Sequence, residues 1–574
     1  MSSLRISLAQ INTTVGDFSG NSALILEMAQ EAASLGADIV AFPELAICGY
    51  PPEDLLLRSS FIEESRIALE KLAVDARELP PLIVGSLDFD RHLYNSASIL
   101  HGGRITADYH KQKLPNYGVF DEQRYFQPGK SVLLCRIKGV DIGINICEDI
   151  WYPDGPISDA ALAGAQLIIN INASPFAKNR SSDRERMIST RAADHTVAIA
   201  YVNQVGGQDE LVFDGNSFIS LADGQIQNHA PSFENFLLTS DIEFEDVLQR
   251  QLHDSRLRQM RSTRGNENSL EIEQVDLALV PFEKPDISNV VTNAAISTEE
   301  EVYRALVTGT RDYLHKTGFE HAFIALSGGI DSALVGAIAV DALGPTNVTG
   351  VSMPSRYSSD GSVTDAEDLA SRLGIELLSL PIEGVHASVL DSLLPEFARS
   401  ENPDAGVAGE NVQSRIRGML MMALSNHRPK SMVLTTGNKS EYACGYATLY
   451  GDMVGGFAVI KDVPKTLVWE LSRWRNSTGE VIPENSITKA PSAELRPDQK
   501  DSDSLPDYSR LDPLLIDMIE HRLSGQQLTA AGHDPAEVQR IERLFRRAEF
   551  KRRQAAPLLK VSAQAFGSGW RLPI

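Results

Sequence analysis

Over the first 220 or so positions, short apolar runs alternate with amphipathic stretches. The runs Arg5–Gln10, Asp38–Phe42, Leu82–Ser86, Asp141–Ile146 and Gln166–Asn172 are apolar at successive or alternate positions, which predicts strands buried on one or both faces. Residues 21–35 carry apolar side chains at helical spacing and predict a helix between the first two strands. From about 250 to 295 the periodicity fades. The charged stretch Arg261–Asn268 is followed by Pro281 and Pro285, and the region reads as an exposed connection. A second alternation then begins with a helix over 298–317. It continues through strands at His321–Leu326, Val348–Met353 and Ser431–Thr435. The expected organisation is α/β throughout: a first domain over 1–265, a connecting segment over 266–295 and a second domain over 296–574. No internal repeat or low-complexity tract interrupts it.

Composition narrows the function. Apolar residues make up 43% and charged residues 23% of the 574, as in an ordinary globular enzyme. No apolar run approaches the roughly 18 residues of a membrane helix. The first residues enter a strand pattern directly, without the features of a secretory leader, so a cytoplasmic location is expected. A net charge of −24 argues against a nucleic-acid surface, though not against a local basic pocket for one nucleotide. Cys48, Cys135, Cys147 and Cys444 have neither metal-site nor disulfide-scaffold spacing.

Three segments of the first domain suggest covalent catalysis. Cys147 ends an apolar strand and precedes Glu148-Asp149, a position from which a thiol can face a pocket. Glu44, in Phe42-Pro43-Glu44, also follows a strand and is placed to serve as a general base. The segment Tyr109–Gly118 carries Lys111 and Lys113, either of which could stabilise an oxyanion. In this order and separation the three segments resemble the Glu-Lys-Cys triad of the nitrilase superfamily. That resemblance implies an α-β-β-α sandwich, with Glu44 as base, Lys111 as oxyanion stabiliser and Cys147 as nucleophile in amide hydrolysis. The family's lysine lies three residues before a leucine, which selects Lys111 over Lys113. Glutamine recognition in similar enzymes implies roles for Tyr117 and Ser174, and for a nearby cation, Arg180 or Lys178.

In the second domain, Leu326-Ser327-Gly328-Gly329-Ile330-Asp331-Ser332 lies between a strand and a helix. There, glycines and a helix N-terminus can wrap a phosphate. It lacks the ending of a Walker A loop and resembles the pyrophosphate loop of ATP pyrophosphatases. That resemblance implies a Rossmann-like, adenine nucleotide α-hydrolase domain with a parallel sheet. It also implies ATP as co-substrate, cleaved between the α and β phosphates, with Asp331 and Glu441 holding Mg²⁺. The segments Glu410–Arg417, Thr436–Glu441, Tyr450–Met453, Pro491–Pro497 and Phe550–Gln554 together resemble the NAD synthetase family. With the nitrilase-like half in front, the likeness to glutamine-dependent NAD synthetases spans nearly the whole chain. It implies that Thr436 contacts ATP and that Arg415, Glu441 and Lys551 bind deamido-NAD, with Arg415, Lys439, Lys461, Lys465 and Lys551 offering a local anion site. A surface position remains an alternative for Lys465. The implied partners are L-glutamine, ATP and deamido-NAD, with no nucleic acid and no membrane, in a homo-oligomer. GMP or asparagine synthetases share only the 327–332 loop, and an inert scaffold would not need these acids, lysine and thiol.

Overall fold

Strand Ser3–Gln10 is buried on both faces, and that decides its place: Leu4, Ile6 and Leu8 face one core, and Ala9, with Ile11 just beyond the strand, faces another. A strand of this kind needs a layer on each side. The computed structural model describes residues 3–267, 271–278, 282–287, 296–399, 405–497 and 499–574. By contacts the chain forms two compact units, one of 1–208 with 212–295 and the other of 209–211 with 296–574.

The first unit stacks two sheets. One has six strands in the order Phe236–Glu243, Ser3–Gln10, Ile39–Ala41, Leu82–Phe89, Leu93–His101, Arg104–His110. The other has seven, in the order Ile226–His229, Phe218–Ser220, Ala198–Asn203, Leu167–Asn172, Val140–Ile146, Val132–Ile137, Ile272–Asp276. Inward residues such as Ile6, Ile83, Ile144 and Ile169 interlock between them. Helices Phe18–Ser34 and Ser59–Asp75 cover the first sheet, and Pro156–Ala163 and Arg180–His195 cover the second. This is the expected α-β-β-α sandwich. Parallel register sets Ile146 beside Ile171 and Asn172 beside Asn203, so the residues that follow these strands emerge at one edge.

The predicted elements recur with ends shifted by a few residues. The main difference lies in the stretch read as an exposed connection. Helices Phe244–His253 and Ser255–Glu267 form there, and Ile272–Asp276 pairs in parallel with Val132–Ile137. This edge strand is largely exposed, so backbone pairing holds it and the sequence carries no hydrophobic signal for it. Residues 268–270, 279–281, 288–295 and hence Pro281 lie outside the described residues.

The second unit holds a five-stranded parallel sheet, in the order Glu376–Ser379, Val348–Ser352, His321–Ala325, Ser431–Thr435, Phe457–Ala458. The first of these in the chain, His321–Ala325, is central, with successive strands added to its two sides. Its C-terminal end is therefore a topological switch point, where doubly wound sheets take ligands. Phe323, Val351 and Val433 pack on Ile416 and Met421 of helix Gly406–His427. Tyr442, Leu511, Leu514, Leu528, Ile541 and Phe545 form a separate helical core. Among the described residues no helix is long and apolar enough to cross a membrane.

Gly85 fixes one close approach: a Cβ there would lie 2.1 Å from the Pro43 carbonyl oxygen and 2.3 Å from the Leu45 nitrogen. These are backbone atoms and cannot swing aside. Gly85→Ala should therefore destabilise the first unit by about 1–3 kcal/mol, the usual scale of overpacking. Urea unfolding checks this, and an unchanged midpoint would refute it.

Candidate active sites

In the first unit three chain segments deliver one polar cluster to an apolar interior. Glu44 follows strand Ile39–Ala41 and is fully buried. One of its carboxylate oxygens accepts from Lys111 Nζ at 2.6 Å and from Asn95 Nδ2 at 2.7 Å, and the other from the Ala173 amide at 3.0 Å. Lys111 follows strand Arg104–His110 and donates also to Glu122 Oε1 at 2.7 Å. Burial works against its ammonium, but the charges of Glu122 and Glu44 outweigh that and hold it well above the ordinary lysine range. Burial, reinforced by Glu44, pushes Glu122 up against the pull of Lys111, and its Oε2 has no hydrogen-bond partner among the described residues.

Cys147 opens the short helical turn after strand Val140–Ile146, with φ of +44°. A non-glycine residue rarely adopts this conformation, and strain of this kind gathers at functional sites. Burial, then the charge of Glu44, raise the thiol well above its ordinary pKa, Lys111 opposes them, and Glu122 and Glu148 add to the rise. The sulfur therefore rests as a thiol, and any nucleophilic role would need a base to take its proton.

The structure brings Glu44, Lys111 and Cys147 within reach of one another's charge. Lys113 lies elsewhere, its ammonium 5.0 Å from the centre of the Tyr152 ring. Tyr117, half exposed, donates to Glu148 Oε2 at 2.9 Å, and the Arg180 guanidinium stands 4.5 Å over Trp151, where its charge reaches both Tyr117 and Glu148. Lys178 is exposed. Ser174 is buried, its amide held by Asn203 Oδ1 at 2.9 Å. Tyr117, Glu148 and Arg180 thus make a polar wall beside the thiol. The sequence assigns no role to Glu122, Asn95, Glu148 or Asp149. Only Glu148 and Asp149, as acids directly after Cys147, carry a local signal.

In the second unit the loop from Leu326 to Gly329 leaves the central strand and feeds helix Ile330–Leu343. Gly328 has φ of +74°, and a Cβ there would lie 2.3 Å from the Ser362 carbonyl oxygen, so only glycine fits. Ser332 Oγ donates to the Gly329 carbonyl at 2.9 Å, and Ser486 Oγ to that of Gly328 at 2.9 Å. Ser327 is exposed, while Leu326 and Ile330 are buried anchors. Asp331, in the first turn of the helix, accepts from Asn438 Nδ2 at 2.9 Å and from Lys465 Nζ. Asn438 also caps helix Lys439–Cys444 in a reciprocal pair with Glu441. Lys465 Nζ lies 3.8 Å from Glu441 Oε1, so one buried ammonium stands between the two acids expected to hold Mg²⁺. Burial, then the Asp331 charge, push Glu441 well above the carboxylate range. Hard carboxylate oxygens are the donors Mg²⁺ takes, and these two fit it.

Thr436 follows strand Ser431–Thr435 directly. Lys551 Nζ donates to the carbonyls of Gly445 and Ala447 at 2.8 and 2.7 Å, and Arg415 Nε to that of Leu449 at 3.2 Å, so both cations hold the loop that follows the Glu441 helix. Lys465 is buried, which corrects the surface alternative. Lys439 is committed to Asp462, Glu520, Ser562 and the Gln564 carbonyl, and Lys461 to the Ala556 carbonyl. Of the five cations read as an anion site, these two anchor the C-terminal segment instead.

Residues 5–250 match the carbon-nitrogen hydrolase family and residues 302–555 the NAD synthase family. The chain is 46% identical over 578 residues to the glutamine-dependent NAD(+) synthetase of Thermotoga maritima, covering 100% of this chain and 99% of that one. It is 42% identical over 572 residues to that of Aquifex aeolicus, again covering 100% and 99%. The solved glutamine-dependent NAD+ synthetase of Acinetobacter baumannii, in complex with adenosine diphosphate, superposes with a TM-score of 0.75 at 38% identity and covers 100% of this chain and 98% of that chain.

The geometry separates the two lysines by experiment. Lys111→Ala should lower amide hydrolysis about a hundredfold or more, the scale of losing an oxyanion donor, and Lys113→Ala should leave the rate near wild type. Steady-state ammonia release reads both, and the reverse pattern would exclude Lys111.

Proposed function

Because the chain belongs to the glutamine-dependent NAD(+) synthetase family, and so uses ATP to amidate deamido-NAD with ammonia from glutamine, we propose that Glu44, Lys111 and Cys147 release that ammonia and that the Leu326–Ser332 loop with its neighbours fixes it. The observation that carries the first half is the buried contact of Lys111 with Glu44 beside a raised thiol. Glu44 takes the Cys147 proton as sulfur bonds to the side-chain amide carbon of glutamine, and Lys111 Nζ donates to the oxygen that becomes negative. Ammonia leaves with that proton, and water, deprotonated by Glu44, cleaves the thioester to glutamate, the departing Cys147 sulfur taking the proton back from Glu44. Tyr117, Ser174 and Arg180 hold the amino acid. Arg180 answers its carboxylate, and Glu148 answers its ammonium group.

In the second half the carboxylate of deamido-NAD attacks the α-phosphorus of ATP. Pyrophosphate departs against Ser327, Gly328, Gly329 and Ser332, with Leu326 and Ile330 anchoring the loop and Thr436 touching the nucleotide. Arg415, Glu441 and Lys551 hold deamido-NAD. Ammonia then attacks the acyl-adenylate, giving NAD and AMP. Mg²⁺, held by Asp331 and Glu441, would supply charge neutralisation at the phosphate oxygens. The buried Lys465 supplies a second positive charge at the same place. We place the hydrolase within residues 1–265, with strand Ile272–Asp276 completing its second sheet, and the synthetase within 296–574, in a cytoplasmic homo-oligomer.

Cys147→Ala should abolish NAD formation from glutamine and leave formation from high ammonium largely intact, because the thiol serves only to release ammonia. Unimpaired glutamine use would overturn the assignment. Asp331→Asn should block NAD formation from either nitrogen source and suppress pyrophosphate release. Pyrophosphate release at the wild-type rate with deamido-NAD present would make Asp331 structural.

A further inference from the structure

The Asp149 carboxylate is fully buried two residues beyond the thiol; one of its bonds caps its own turn and the others lead to a second segment. Oδ1 accepts from the consecutive backbone amides of Gln112 and Lys113, at 3.0 and 2.8 Å. Oδ2 accepts from the Ile146 amide at 3.1 Å and from the Tyr109 hydroxyl at 2.8 Å. Ile146 immediately precedes Cys147, while Tyr109, Gln112 and Lys113 bracket Lys111. One side chain therefore clasps the two segments that deliver the nucleophile and the oxyanion donor. We infer that Asp149 is a positioning residue for amide hydrolysis, setting the distance and direction between Lys111 Nζ and Cys147 Sγ. This inference rests on the assignment of those two residues above.

Folding does not favour the ionised form of this carboxylate. Burial pushes Asp149 up to about 6, against the pull of the Lys113 amide, the Lys111 charge and the Tyr109 hydroxyl. A folded-state pKa above the unfolded value means that the folded chain binds more protons between the two values. The ionised form present at neutral pH therefore costs folding stability, and that cost fades as pH falls through about 6. What the ionised group supplies is four accepting directions on two rigid oxygens. An amide in its place keeps one oxygen and turns an N–H group toward donors. Reacting groups displaced by about 1 Å lose on the order of a hundredfold in rate.

The test compares full-length Asp149→Asn, Tyr109→Phe and Cys147→Ala with wild type in glutamine hydrolysis, ammonium-dependent NAD formation and thermal melting. Asp149→Asn should lower kcat for glutamine about a hundredfold, with KM within about threefold, because Tyr117, Ser174, Glu148 and Arg180 make no bond to Asp149. Ammonium-dependent formation should stay close to wild type, and the melting temperature, though lowered by the donors left unpaired, should stay above the assay temperature. Tyr109→Phe removes one of the four donors without changing shape, and should lower kcat by a smaller factor in the same direction. Wild-type kcat in both variants would overturn the inference, and so would a loss confined to KM or a fall in melting temperature that accounts for the lost activity. Glutamine use by Cys147→Ala would instead overturn the catalytic assignment on which the inference stands.

Discussion

A lysine ammonium with no exposed surface must be answered by carboxylates, and Lys111 is answered by two. An unpaired charge in that position would cost far more than any packing around it could return. Glu44 and Glu122 therefore have to arrive together with Lys111, from the end of a strand and from a loop, and Asn95 and the Ala173 amide complete the hydrogen bonding of Glu44. The layered core supplies the rigidity that makes this meeting reproducible. Its strands end in register, so the residues that leave them reach the cluster as neighbours. Burial, with these acids around it, keeps the Cys147 thiol protonated at rest.

The second unit meets a related problem with different parts. Asp331 and Glu441 begin two helices, and Asn438 bonds to both acids, so their spacing is set by backbone capping as well as by charge. Lys465 lies between them as a buried counter-charge. The path of the glycine loop beside this cluster is set by a steric condition: Gly328 passes the Ser362 carbonyl too closely for any side chain.

Much of this was legible in the chain. Strand ends and the glycine loop announce themselves through local patterns, and Glu44, Lys111, Cys147 and Asp331 sit in short segments with a family likeness. Glu122 and Asn95 were not legible, because their importance comes from where three-dimensional packing sends them. Lys439 and Lys461 show the converse. Near a nucleotide-binding motif a lysine invites a phosphate reading, yet one is consumed by Asp462 and Glu520 and the other by a carbonyl of the C-terminal segment. Polar residues that tie elements together and polar residues that meet ligands share one vocabulary, and only partners distinguish them.

Strand Ile272–Asp276 bears on how the chain can be cut. It pairs along its length with Val132–Ile137, and nearby Lys284 and the Pro285 carbonyl reach Asp38 and Arg5 at the far end of the sequence. A fragment ended at residue 265 would leave the amides and carbonyls of Val132–Ile137 open along a flat apolar border, a template for association with other chains. Anyone separating the two activities into independent proteins would therefore have to carry this charged, unremarkable-looking tail with the hydrolase half for it to stay monodisperse.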